Sequence, residues 1–161
     1  MDKAFTSPSL LAERMGVERL SAGQIAGCDP EVFEELFRRV PALHRFPAAM
    51  AKRVQAMCQH VVVRYGGDAG SIWHSAASGQ QLVERIAGLP GFGPQKAKIF
   101  TALLGKQFAV RPRGWRQAAG AYGETGSYRS VADVVDAESL RQVRAFKQEQ
   151  KAAAKAAAAP G

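Results

Sequence analysis

The chain has 161 residues, 47% of them hydrophobic, and a formal net charge of +8. This length and apolar share fit one domain that buries a core, and they exclude a disordered chain. Two cysteines, Cys28 and Cys58, are too few for a disulfide framework or a four-thiolate iron–sulfur cluster within the chain, and no apolar run is long enough to span a membrane. Residues Met1-Asp2-Lys3-Ala4-Phe5 lack the apolar core of a signal peptide. The chain therefore reads as a soluble, cytoplasmic, monomeric protein.

The predicted elements are helices throughout, with no alternating strand pattern. Ser7-Pro8-Ser9 marks a helix start, and Gly16 ends that helix. Asp29 and Pro30 form an N-cap and first-turn pair, after which Val32, Leu36 and Val40 fall on one face. Pro41 and Pro47 bracket a loop. Met50, Val54, Met57, Val61 and Tyr65 then recur at helical spacing until Gly66-Gly67. Ser78 caps a helix whose apolar face holds Leu82, Ile86 and Leu89. Pro94 opens the next, which buries Ala97, Ile99, Phe100, Leu103 and Leu104. Residues 111–130 are glycine-rich and irregular, with Trp115 and Tyr122 as anchors. Asp136 caps a last helix carrying Leu140, Val143 and Phe146. These elements make a domain over residues 1–150, and residues 151–161 form an Ala/Lys-rich flexible tail.

Charge is unevenly placed. Residues 1–88 hold 10 Lys/Arg against 9 Asp/Glu, whereas residues 89–161 hold 12 against 5. From Ile86 through Gly123 there is no acidic residue, and that stretch carries Lys96, Lys98, Lys106, Arg111, Arg113 and Arg116. A charge run is usually a solvated face, but exclusion of one sign around a special turn is the footprint of a polyanion partner.

That turn is Leu89-Pro90-Gly91-Phe92-Gly93, between two predicted helices. Leu89 and Phe92 can pin it to a core. Gly91 and Gly93 permit positive φ and close approach of another backbone. The second helix starts there, so the amides of Gly91, Gly93 and Gln95 are candidates to cradle a phosphate oxygen. Lys96 and Lys98 stand near the positive end of the helix dipole, where a bound anion would compensate them. A glycine turn by itself is a common tight connection. The two glycines, flanking helices, lysines and acid-free stretch together favour double-stranded DNA.

Segment 82–105 resembles the helix-hairpin-helix of the base-excision DNA glycosylase superfamily, HhH-GPD. Phe46-Pro47 leading into Met50-Ala51-Lys52-Arg53-Val54 is similar to the loop and helix before that hairpin, and residues 1–150 resemble small bacterial proteins of this type. The resemblance implies an all-α, DNA-glycosylase-like bundle that flips a damaged base from duplex DNA. Bifunctional members carry a lysine nucleophile where Gln95 stands, so a Schiff-base lyase is not expected. Members also carry an aspartate further on, yet Ala109-Val110-Arg111-Pro112-Arg113-Gly114-Trp115 contains no acid. Asp133 is the one weak catalytic candidate, its ordinary reading being a solvated residue, while Asp136 reads as a helix cap. The family's preceding apolar helix is absent, so either the natural start lies upstream of Met1, the reading favoured, or the chain lacks a wall of the base pocket. The expectation is a monofunctional DNA N-glycosylase-like repair protein, with a non-catalytic DNA binder as the alternative.

His44, His60 and His74 lack metal-ligand spacing, so neither a metal nor a cofactor is expected. Arg45 sits in a loop where it could meet phosphate. The adjoining Phe46 could wedge a base step or tuck into the core. The predicted DNA contacts are Leu89, Gly91, Phe92, Gly93, Gln95, Lys96, Lys98, Arg45, Arg111 and Arg113.

Overall fold

A computed structural model of the protein describes residues 2–157, with side chains described from Thr6 onward. Among these residues the chain is all-α: helices dominate and no strand forms. The helices gather into two compact units, one reaching to Ile72 and including Leu89–Gly91, the other comprising Trp73–Gly88 and the chain from Phe92.

The first unit contains α1 (Asp2–Arg14), α2 (Ala22–Gly27), α3 (Pro30–Arg38) and α4 (Pro47–Tyr65). α1 starts before the expected Ser7-Pro8-Ser9 signal and carries Pro8 inside it. α2 has no apolar period to betray it; the Ser21 side chain accepts from the Gln24 N–H and starts it. α3 starts as expected, with the Asp29 carboxylate accepting from the N–H groups of Glu31 and Val32. Its buried face, however, is Phe33, Leu36 and Phe37, whereas Val32 is 56% and Val40 95% exposed. Two phenyl rings remove more apolar surface from water than two valines, at about 1.5–3 kcal/mol per large side chain. They stack at 5.1 Å, tilted by 55°, within a core that includes Leu11, Ile25, Leu43 and Ala51.

Polar groups close the helix ends inside this unit. Arg14 donates to the carbonyl of Leu36 (2.5 Å), an acceptor that the last turn of α3 leaves unpaired, and to that of Pro41 (2.9 Å) in the loop beyond it. The buried Gln55 of α4 donates to Cys28 O at 2.6 Å, just past α2. Cys28 and Cys58 are half-buried against the core rather than enclosed, and burial raises the Cys58 thiol pKa above its ordinary value. α4 stops at Gly66, which takes a left-handed conformation at φ 60°. A short helix, α5 (Ser71–His74), follows.

The second unit is built from α6 (Gly79–Ala87), α7 (Pro94–Gln107), α8 (Trp115–Ala119) and α9 (Ala137–Ala157), with 3-10 turns at Gly120–Gly123 and Val131–Asp133. Ser78 caps α6 by accepting from the Gln81 N–H. Leu82 and Ile86 are fully buried and Leu89 nearly so, as their spacing predicts. On α7, Ala97 and Leu104 are buried, but Ile99, Phe100 and Leu103 are only half-buried. Trp115 is buried as expected, within a segment more helical than its glycines suggest. Asp136 caps α9, its carboxylate held below the usual pKa range by hydrogen bonds from the backbone and side chain of Ser139. α9 continues past residue 150 to Ala157, so the expected flexible tail is helical as far as it is described; residues 158–161 lie outside the described chain.

Trp115 is seated by two glycines. A Cβ on Gly79 would stand 2.4 Å from Trp115 Cα and 2.7 Å from Gly114 O, and one on Gly105 would stand 2.4 Å from the indole ring. Around Gly79 both obstacles are backbone. Gly79→Ala is therefore expected to cost roughly 1–3 kcal/mol as overpacking. Urea denaturation should show a lower midpoint, and an unchanged one would mean that α6 and α8 readily separate.

Candidate nucleic-acid interface

α6 ends at Gly88, whose N–H returns to Glu84 O at 3.0 Å. Leu89 is buried, and exposed Gly91 turns the chain at φ 84°, a conformation that disfavours other residues. Phe92 packs edge-on to Phe100 at 5.9 Å, and Phe100 meets Trp73 at 6.4 Å. This aromatic row fixes where α7 begins. Its N-cap is Gly93, followed by Pro94 in the first turn, and no side chain caps it.

Gly93 differs from the expectation. Its φ of −110° is available to any residue, and no protein atom lies within 4 Å of where its Cβ would be. Neither backbone strain nor internal packing requires a glycine there. What the missing side chain does is leave the outer surface of the α7 N-terminus open. Among the described residues, the N–H groups of Gly93 and Gln95 make no hydrogen bond within the protein. The first turn holds no acidic residue, leaving the dipole's positive end uncompensated. Gly91 and Lys96 each have a partner within the protein, so the open amides are those of Gly93 and Gln95. Lys98 is exposed and makes no ion pair among the described residues.

The Gln95 side chain donates to Tyr122 Oη at 2.9 Å. The two border a cavity of about 450 Å³ whose wall also includes Arg129, Phe146, Lys147 and Gln150 and contains no carboxylate. Tyr122 was readable only as an anchor. Nothing in the sequence pairs it with a residue 27 positions away.

Asp133 is nowhere free. Its carboxylate pairs with Lys106, accepts from Ser127 Oγ at 3.2 Å, and accepts from the N–H groups of Arg129 and Ser130 at 2.9 and 3.1 Å. Its side chain is 4% exposed, so the solvated residue expected from the sequence is instead a buried, fully partnered carboxylate. Lys106 lies eleven residues beyond Gln95 on α7, about 16 Å along the axis.

Arg111 and Arg113 also lie away from the turn. Arg111 donates to Gly105 O near the end of α7, and Arg113 O accepts from Gly79 N–H at the start of α6. The acid-free run is thus drawn out along α7 rather than gathered round the turn. Arg45 stacks on Phe46 at 4.6 Å, and Phe46 is 58% exposed, so the ring is not in the core. Among the described residues no cluster of His, Cys, Asp and Glu is placed to hold a metal, and no helix is long and apolar enough to cross a membrane. No protein-family model, curated protein or solved structure matches this chain.

Proposed function

We propose that this protein binds the sugar-phosphate backbone of duplex DNA, with α6, the Leu89–Gly93 turn and α7 serving as a helix-hairpin-helix. One observation carries the reading: the α7 N-terminus is open at Gly93 and presents unpaired Gly93 and Gln95 amides beside exposed lysines. Two unpaired donors at the positive end of a 14-residue helix suit a phosphate oxygen. The contact reads no base, so affinity would be largely independent of sequence.

Catalysis has less support. Gln95 replaces the lyase lysine and is bonded to Tyr122, and the Asp133 carboxylate is consumed by protein partners. Binding without cleavage is the reading favoured. A second, the monofunctional DNA N-glycosylase of the HhH-GPD resemblance, draws on the cavity beside Gln95, where Tyr122 and Phe146 offer aromatic surface to a flipped base.

Anisotropy titration with a mixed-sequence duplex is expected to show binding that weakens steeply with salt, because each neutralised phosphate releases counterions. Binding that is absent, or indifferent to salt, would overturn the proposal. Duplexes containing uracil, alkylated purines or oxidised bases are expected to release no base, and borohydride to trap no covalent adduct. Base release without trapping would establish the second reading instead.

A further inference from the structure

α9 extends well beyond the part of it that is packed. Its buried positions are Ser139 and Val143, with Phe146 half-buried; from Lys147 through Ala157 every residue is exposed. After Phe146 the described helix contains only Lys, Gln, Glu and Ala. It therefore has no apolar stripe with which to dock onto a protein groove or enter a lipid surface, both of which need large apolar anchors.

Its charges are ordered. Arg144, Lys147, Lys151 and Lys155 follow one another at spacings of three, four and four residues, which places them along one edge of the helix. None of the four makes an ion pair or side-chain hydrogen bond among the described residues. The nearby acids lie off this edge: Glu138 is paired with Arg141, and Glu149 is five residues from Arg144. From Arg144 to Lys155 the edge runs about 16 Å, enough to follow roughly five phosphates of one strand at ~3.4 Å of duplex axis each. Lys147 also lines the cavity that Gln95 borders, so the edge adjoins the open start of α7.

We infer that the Arg144–Lys147–Lys151–Lys155 edge of α9 is a second contact to the DNA backbone, continuing the path of the strand past the hairpin. The inference rests on the DNA-binding reading above. It assigns α9 a sequence-independent, salt-sensitive role, in which a regular row of cations replaces counterions along one strand.

The test compares the 161-residue chain with two variants on the same mixed-sequence duplex. One carries Lys147→Gln, Lys151→Gln and Lys155→Gln, neutral changes of similar helix propensity whose effect on folding is checked by circular dichroism. The other carries Gly93→Asp. Each lost phosphate contact lowers the slope of log affinity against log salt by about 0.9, so the triple variant is expected to lose roughly two to three units of slope. An unchanged slope in the triple variant, with binding weakened about a hundredfold by Gly93→Asp, would overturn the α9 contact and leave the hairpin reading intact. A reduced slope with wild-type binding by Gly93→Asp would keep α9 and overturn the hairpin. Stronger binding of the wild type to anionic vesicles than to duplex, lost in the triple variant, would overturn the assignment to DNA.

Discussion

Replacing Gly93 with aspartate is expected to weaken duplex binding about a hundredfold while leaving the fold as stable as before or slightly more so. The two effects have opposite signs for one physical reason. Gly93 is the N-cap of α7, at a φ that aspartate adopts readily, with open space where the side chain would go. An aspartate there can accept from the unpaired Gln95 N–H and complement the helix dipole, gaining a few tenths to about 1 kcal/mol. The same carboxylate would occupy the place assigned to phosphate and repel it. Losing the charge-assisted bonds of one phosphate costs about 1.5–3 kcal/mol each, and every 1.4 kcal/mol is tenfold in affinity. A thermal unfolding midpoint that holds or rises, together with an affinity loss, identifies a binding defect without a folding defect. Affinity equal to the wild type would remove the α7 N-terminus from the interface.

Asp133→Ala is expected to have the largest effect on stability, about 3–5 kcal/mol, because it leaves the ammonium of Lys106 without its partner in a site where that side chain is only 16% exposed. The same change strips acceptors from Ser127 Oγ and from the Arg129 and Ser130 N–H groups. It also breaks the capping box formed with Ser130 at the 3-10 turn. Denaturant unfolding should show a much lower midpoint. Asp133→Asn keeps the shape, loses the charge and should fall between. If base release were found, a catalytic Asp133 would make Asp133→Asn lose that release at undiminished stability. Full stability with lost activity would return this residue to the active site.

Several elements were readable because their causes are local. Ser78 caps α6, Asp29 with Pro30 opens α3, Pro94 opens α7, and Gly66 ends α4. Each depends on groups within about four residues, so the order of types along the chain is sufficient. Leu82, Ile86 and Leu89 were legible for a similar reason, since a helical period states which residues share a face. The period failed on α3, where two overlapping apolar stripes competed and the one with the phenyl rings won. α2 escaped notice because six residues with one buried isoleucine carry no period.

By itself, the sequence determined that this chain is helical, where most of its helices begin, and that a glycine turn free of acidic neighbours joins α6 to α7. Only the tertiary structure decided how the charges are used. It tied Asp133 to Lys106 and Gln95 to Tyr122, each across 27 residues, and it moved Arg111 and Arg113 away from the turn. The reason is geometric. A 14-residue helix carries the chain about 21 Å, so residues close in sequence part while distant ones meet, and no local pattern encodes the result.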